Sequence, residues 1–161
     1  MENMGLEGDL EMIDGVIIKP LKKIPDDRGI IMKMQEASDK EFKGFGEIYF
    51  STIYPGVVKG WHLHKNATLN YTVIKGMIKL VLFDNRENSQ TKGELQEIYL
   101  GDYNYYLVQI PPNIWNGFTC VGNNEAIVAD LITIIHDKDE MIRMDPHEKN
   151  IIKYNWSVKD R

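Results

Sequence analysis

The sequence lacks several features on which whole classes of protein depend. It has one cysteine, Cys120, so no disulfide can form within the chain, and Cys120 is expected to be a small buried hydrophobic residue. No apolar run is long enough to span a bilayer. The opening residues, MENMGLEGDLEM, are acidic and do not show the basic and then apolar order of a signal peptide. We therefore expect a cytoplasmic protein with no membrane partner.

Positive charge is also scarce. The chain has 19 Lys and Arg residues against 24 Asp and Glu residues, which gives a net charge of −5. Basic side chains do not cluster with interleaved aromatics. Because nucleic acids usually bind to basic surfaces, we expect no nucleic-acid partner. An anionic small ligand would have to be held by a few local cations.

The sequence does contain many short runs of β-branched and aromatic residues. Gly, Pro, Asn and Asp separate these runs, which recur roughly every ten residues, the spacing of a β-sandwich or barrel. We expect a flexible tail over residues 1–12 and one all-β domain over residues 13–161. The predicted strands lie in GVIIKPL, RGIIMKMQ, GEIYFSTIYPG, LNYTVIKGMIKLVLFD, LQEIYLGD, YYLVQIPPN and EAIVADLITIIHD.

Three local signals refine this pattern. EASDKEFKG predicts one short helix, with Ser38 as its N-cap and Glu41 as the partner in a capping box. KGM predicts a tight turn between the two strands of a hairpin. Near the C-terminus, apolar residues alternate and are expected to pack an apolar edge over one sheet: Ile152, Tyr154 and Trp156.

Two of the four histidines lie in GVVKGWHLHKN, two residues apart. Alternate side chains of a strand share a face, so Gly60, His62 and His64 would point one way and Trp61 and Leu63 the other. Three interpretations remain open. Both histidines line the mouth of the fold without a chemical role, they bind a metal with further ligands, or one of them acts as a base, since imidazole titrates near neutral pH.

The spacing around these histidines resembles the first motif of the cupin superfamily, G-x5-H-x-H-x3or4-E-x6-G. The second cupin motif resembles PPNIWN. The family's glutamate position is occupied by Leu69, and its last histidine position by Asn116. Since two of four family ligands are absent, we expect no bound metal and no cofactor. The matching positions of the first motif are Gly56, His62, His64 and Gly76.

A longer resemblance runs from about residue 26 to about residue 156. DDRG, KGWH, LFDNRENSQTKG, IPPNIWNGF and DEMIRMDP follow the order and spacing of motifs in the dTDP-4-dehydrorhamnose 3,5-epimerase family, a branch of the cupins. The resemblance implies a cupin-type double-stranded β-helix, or jelly-roll barrel, with short helical segments. It also implies a homodimer, in which a residue near DDRG reaches the ligand of the neighbouring subunit.

The family's chemistry is proton transfer beside the ketone of a dTDP-linked 4-keto sugar. A histidine removes a proton, an enolate forms, and a tyrosine returns a proton on the opposite face. The resemblance puts His62 at the position of the base. It puts Arg28 and Lys59 at positions near the phosphates, with Lys59 in place of an arginine. No tyrosine stands at the position of the family's acid, where His136 or Asp137 is found, so His136 is the predicted acid.

Other matched positions differ from the family pattern. His64 replaces a glutamine and Asn116 a histidine, and we expect both to contact substrate. Leu69 and Leu80 stand where the family has a lysine and an aspartate, and a leucine does not stabilise an oxyanion. The first hypothesis is therefore an isomerase that epimerises or isomerises a 4-keto-6-deoxy nucleotide sugar, dTDP-linked by resemblance. The alternatives are a non-catalytic cupin that binds such sugars and a metal-dependent cupin.

Overall fold

The computed structural model describes residues 12–160, so the tail expected over residues 1–12 lies outside the described residues except for Met12. The described chain is built from β-strands, which confirms the all-β prediction. No helix forms within it, and so none long and apolar enough to cross a membrane. The strands are β1 Ile17–Pro20, β2 Lys23–Asp26, β3 Gly29–Met32, β4 Glu47–Ile53, β5 Val58–His64, β6 Leu69–Lys75, β7 Met77–Asp84, β8 Leu95–Gly101, β9 Tyr106–Ile110, β10 Ile114–Cys120, β11 Ala126–Ile132 and β12 Met141–Arg143.

Two five-stranded antiparallel sheets form the body of the fold. The first sheet has the order β1-β9-β6-β11-β4 and the second the order β12-β5-β10-β7-β8. Strands that are distant in sequence lie side by side, as in a jelly roll. The β2–β3 hairpin is a separate two-stranded sheet. The predicted jelly roll is therefore confirmed.

The core lies between the two sheets because the inward side chains of both are apolar. Leu69 and Val108 from the first sheet and Leu80 and Leu82 from the second belong to one buried cluster. Each large aliphatic side chain removed from water in this way contributes about 1.5–3 kcal/mol to folding. The core occupies part of the space between the sheets, and a cavity described below occupies another part.

The outer face of the second sheet carries a second apolar cluster. Trp61, buried at 0% exposure, points to this face from β5, and the C-terminal segment packs over it. The rings of Trp61 and Trp156 lie 5.0 Å apart, and that of Tyr154 lies 6.1 Å from Trp61. Ile152 belongs to the same cluster, so the C-terminal segment covers a sheet face as predicted.

The prediction of a helix in EASDKEFKG is wrong. The segment forms turns, because its polar side chains bond within the turn and to a distant lysine. The Ser38 hydroxyl donates to the Glu36 carboxylate instead of capping a helix, and Asp39 accepts the backbone N–H of Glu36. Lys19 holds Asp39 at 2.8 Å and Glu41 at 3.3 Å.

The prediction of a hairpin at KGM is also wrong, although the turn exists. Strand β6 belongs to the first sheet and β7 to the second, so Gly76 joins two sheets rather than two paired strands. Gly76 has φ of +76°, and a Cβ there would lie 2.6 Å from the carbonyl oxygen of Glu125. The crossing between the sheets therefore requires glycine for both its backbone angle and its space.

Replacing Gly76 with alanine should destabilise the protein more than the same change at Gly122. Both residues have positive φ, but Gly122 has no atom within 4 Å of an added Cβ. Gly122→Ala should lower the free energy of unfolding by about 1–2 kcal/mol, the cost of the left-handed backbone alone. Gly76→Ala should lower it further because of the clash. Equal losses in urea unfolding would show that the sheets do not cross as tightly as described.

Candidate active site

A cavity of about 740 Å³ opens between the two sheets. Along β4 and β11 the lining follows the period-two alternation of a strand, so every second side chain faces the cavity, whereas β5 also contributes the consecutive residues 58–60. The second sheet supplies one wall and the first sheet the opposite wall. The strand residues that line it are Val58, Lys59, Gly60, His62, His64 and Phe118 from β5 and β10, and Glu47, Tyr49, Ser51, Tyr71, Val128, Asp130 and Ile132 from β4, β6 and β11.

His62 lies in the β5 wall, half-buried, with Gly60 and His64 on the same side as predicted. Its ring makes no hydrogen bond to another side chain or backbone group of residues 12–160. Burial, and after it the charges of Arg143, His64 and Lys59, lower the pKa of His62 to about 4. At neutral pH the imidazole is therefore uncharged and free to accept a proton.

His64 is buried and held by Glu140, a residue whose part in the site was not predicted. Nδ1 of His64 lies 2.7 Å from the Glu140 carboxylate. Burial by itself raises the pKa of Glu140, but hydrogen bonds from the backbone N–H groups of Asn66 and Ala67 and from His64 keep it below its ordinary value. The pair orients the His64 ring along the cavity wall, where its expected contact with substrate stays a prediction.

Metal binding was one of the interpretations of the two histidines. Within residues 12–160, no three His, Cys, Asp or Glu side chains are arranged to hold a metal ion. Nδ1 of His64 is already taken by Glu140. The metal-free site stays a prediction.

Two cations border the cavity near His62. Lys59, a predicted phosphate contact, donates through Nζ to the Ser51 hydroxyl at 2.7 Å and to the backbone carbonyl of Thr52 at 2.5 Å. Arg143 on β12 is the register partner of His62 on β5, and its side chain lines the cavity. Sequence reasoning missed Arg143, because only the pairing of β12 with β5 brings it to the site.

Arg28 does not reach this cavity from its own chain. It lies at the turn of the β2–β3 hairpin, where 87% of its side chain is exposed. Its guanidinium donates to the carboxylate of Asp26 at 2.5 Å. Within one chain the structure thus brings Lys59 and His62 together and leaves Arg28 apart.

Asn116 is buried on β10, where it is the register partner of His62 on β5. Its side-chain N–H donates to the backbone carbonyl of His62 at 3.2 Å, and its oxygen accepts from the Tyr71 hydroxyl at 3.3 Å. The first bond ties β10 to β5 beside the histidine, and the second ties β10 to β6 of the opposite sheet. The amide supports the position of His62, and its expected contact with substrate stays a prediction.

His136 lines the cavity at its exposed edge. Strand β11 ends at Ile132. His136 therefore lies beyond the strand, whereas the predicted strand in EAIVADLITIIHD included it. Its side chain has no hydrogen bond to any of residues 12–160. Its role as the acid stays a prediction.

Tyr49 and Asp130 form a pair on the wall opposite His62 that sequence reasoning did not identify. They are register partners on β4 and β11, and the Tyr49 hydroxyl donates to the Asp130 carboxylate at 2.8 Å. Asp130 is 1% exposed, and its second oxygen accepts the backbone N–H of Asn70 at 3.3 Å. Burial raises the pKa of Asp130 to about 7. The one available signal was a carboxylate inside the apolar run AIVADLITI.

The fold and the histidine-bearing cavity define a cupin with a site suited to proton transfer. The chain belongs to the dTDP-4-dehydrorhamnose 3,5-epimerase family, whose model matches residues 10–161. The family resemblance drawn from the motifs is thereby confirmed, and with it the class of nucleotide-sugar isomerases.

Individual relatives agree with this assignment. The chain is 33% identical over 156 residues to the spore coat polysaccharide biosynthesis protein SpsL of Bacillus subtilis, covering 93% of this chain and 100% of that protein. It is 31% identical to the probable low-salt glycan biosynthesis epimerase Agl13 of Haloferax volcanii, covering 86% and 87%. A crystal structure of a dTDP sugar isomerase from Desulfovibrio desulfuricans G20 superposes with a TM-score of 0.87 at 37% identity, covering 92% and 94%.

The shifted pKa values of Asp130 and His62 make the stability of the folded protein depend on pH in opposite directions. The pKa of Asp130 is about 7 when folded and about 4 in an unfolded chain, so its contribution to stability is lost as pH rises from about 4 to about 7. The pKa of His62 is about 4 when folded and about 6.5 when unfolded, so its contribution is lost as pH falls over nearly the same range.

Single substitutions should separate these two effects. Relative to the wild-type protein, Asp130→Asn should gain stability as pH rises from about 4 to 7, by up to about 4 kcal/mol for three pKa units. His62→Asn should show a difference of the opposite sign, because its neutral side chain no longer resists protonation. Urea unfolding at several pH values measures both. Two variants whose difference from wild type does not change with pH would contradict the burial described for these groups.

Proposed function

We propose that the protein epimerises or isomerises a 4-keto-6-deoxy sugar carried on a nucleoside diphosphate, with dTDP as the carrier to test first. His62 removes the proton from a carbon next to the ketone. The single observation that carries this proposal is an uncharged, accessible imidazole in a cavity large enough for a sugar. We place this reaction in the cytoplasm, where nucleotide sugars are made.

The charges around His62 suit an enolate. Removing a proton beside a ketone leaves negative charge on the ketone oxygen, and Lys59 and Arg143 supply positive charge on the same wall. Burial above all, and then the same cations, keep His62 unprotonated, because a charged imidazole is unfavourable away from water and beside other positive charges. His62 therefore takes a proton only when negative charge develops in the substrate. No metal or other cofactor takes part in this proposal.

The diphosphate carries negative charge that cations have to bind. Charge-assisted hydrogen bonds to phosphate are the strong kind, and Lys59 and Arg143 are available at the cavity. We propose that Arg28 completes the set from a second copy of the chain. The β2–β3 hairpin that carries Arg28 stands apart from both sheets and exposes Ile24, Ile30 and Ile31.

A homodimer would cover these exposed groups. Strand β4 forms an edge of the first sheet, and its outward side chains Ile48 and Phe50 are exposed. An unpaired edge with apolar side chains favours the addition of another strand. A hairpin from a second copy, docked at this edge, would bring Arg28 towards a cavity whose wall includes β4.

Solvent exchange tests the role of His62. Incubated in D2O with dTDP-4-keto-6-deoxyglucose, the wild-type protein should introduce deuterium next to the ketone, detected by mass spectrometry and NMR. His62→Asn should lower the exchange rate by about 10²–10⁴, the usual contribution of a general base. His147→Asn, a change of the same type outside the cavity, serves as control. A folded His62→Asn protein with wild-type exchange would contradict the assignment. Binding of the sugar without exchange in the wild type would favour the non-catalytic alternative.

Light scattering and ligand binding test the dimer together. The protein should have twice its chain mass of 18.6 kDa at micromolar concentration. Arg28→Ala should weaken dTDP binding by about tenfold or more, since a hydrogen bond to a charged group contributes about 1.5–3 kcal/mol. Lys75→Ala, an exposed cation that does not line the cavity, should not weaken it. A monomer mass, or equal affinity of Arg28→Ala and wild type, would reject the intersubunit role.

A further inference from the structure

The cavity has a polar pair on the wall that His62 does not occupy. His62 lies on β5 in the second sheet, whereas Tyr49 on β4 and Asp130 on β11 belong to the first sheet. All three side chains line the same cavity. A substrate bound between the sheets therefore has the imidazole on one side and the tyrosine–carboxyl pair on the other. Abstraction of a proton by His62 makes no use of this pair.

Epimerisation needs a proton donor on the side opposite the base. If His62 alone handled protons, the proton would return to the face from which it left, and deuterium would enter without inversion. On the opposite wall, polar side chains are supplied by Glu47, Tyr49, Ser51, Tyr71 and Asp130, and the Tyr71 hydroxyl is bonded to Asn116. Of these, Tyr49 and Asp130 are joined by a hydrogen bond of 2.8 Å, along which a proton can pass from one side chain to the other.

We propose that Tyr49 delivers a proton to the substrate carbon on the face opposite His62, and that Asp130 resupplies Tyr49. This inference rests on the proposed function. Tyr49 is the residue that touches substrate, and Asp130 acts through it. The hydroxyl is held at the cavity by its bond to Asp130, whose own position is fixed by the N–H of Asn70.

The proton transfers balance without any further reactant. The C–H bond next to the ketone breaks, its proton joins His62, and its electrons form the enolate. The Tyr49 O–H bond then breaks, a new C–H bond forms on the other face, and the enolate electrons return to it. The Tyr49 phenolate takes the proton of the Asp130 carboxyl. His62 finally loses one proton to water and Asp130 gains one from water.

Asp130 is suited to hold a proton near neutral pH. It is buried, and its hydrogen bonds come from a hydroxyl and a backbone N–H rather than from a lysine or arginine of residues 12–160. Burial accordingly raises its pKa to about 7. When protonated, the carboxyl can donate to the Tyr49 oxygen, and the Tyr49 O–H is then free to turn into the cavity.

The alternative donor is His136, which also lines the cavity. Its side chain is exposed and has no hydrogen bond to residues 12–160, whereas Tyr49 has a fixed partner. A positioned group transfers a proton more efficiently than a loosely held one. The geometry therefore favours Tyr49 over His136.

The test separates exchange from inversion. Full-length protein is incubated in D2O with dTDP-4-keto-6-deoxyglucose, and NMR measures both deuterium next to the ketone and the amount of inverted product. Wild type should show both. Tyr49→Phe should keep exchange within about tenfold of wild type, while the inverted product falls by about 10²–10⁴, the usual contribution of a general acid. Asp130→Asn should show the same separation to a smaller degree.

Two controls complete the design. Tyr54→Phe removes an exposed hydroxyl just after β4, outside the cavity, and should leave both readouts unchanged. His136→Asn tests the competing donor and should not separate inversion from exchange. If Tyr49 had a merely structural role, Tyr49→Phe would reduce exchange and inversion in parallel. That result would overturn the proposed proton relay from Asp130 through Tyr49 to the substrate. The relay also fails if Tyr49→Phe inverts like wild type or if His136→Asn shows the separation instead. Absence of exchange and inversion in the wild type would instead overturn the proposed function, and the relay with it.

Discussion

The site depends on the side-chain alternation of one strand, β5. Trp61 is locked into the aromatic cluster on the outer face, 5.0 Å from Trp156, so its neighbours Gly60 and His62 must face the cavity. A shift of the β5 register by one residue would turn Trp61 from the outer face to the cavity face and turn His62 out of the cavity. Asn116 reinforces this register through its bond to the His62 carbonyl. The position of the base is therefore a consequence of where the tryptophan is buried.

The two walls of the cavity shift proton affinities in opposite directions. Burial among cations lowers the pKa of His62, and burial away from cations raises the pKa of Asp130. A neutral base then faces a carboxyl that holds its proton near neutral pH. Groups whose pKa values are pushed apart in this way are the usual mark of an acid–base pair. Family membership and the geometry of the cavity thus agree on proton transfer as the chemistry of the site.

Local pattern was enough to predict most of the strands, though not β2, β10 or β12, and the shared face of His62 and His64, whereas the jelly roll was implied by the resemblance of the motifs to a family. Local pattern failed where partners are distant in sequence. Asp130 and Tyr49 are 81 residues apart and meet through the pairing of β11 with β4. The expected helix at Ser38 failed for the same reason, since ion pairs to Lys19, a residue outside the segment, compete with the capping signal. The turn at Gly76 was predicted correctly, but a turn signal does not indicate which sheet the next strand joins.

The protonation state of His62 tests the account most directly. In ¹⁵N NMR of labelled protein, the His62 signals, assigned by their loss in His62→Asn, should be those of a neutral imidazole at pH 7. They should titrate with a pKa of about 4. A pKa at or above about 6.5, the value of an imidazole in water, would show that His62 does not lie buried among cations. It would contradict the cavity as the place where a neutral base meets its substrate.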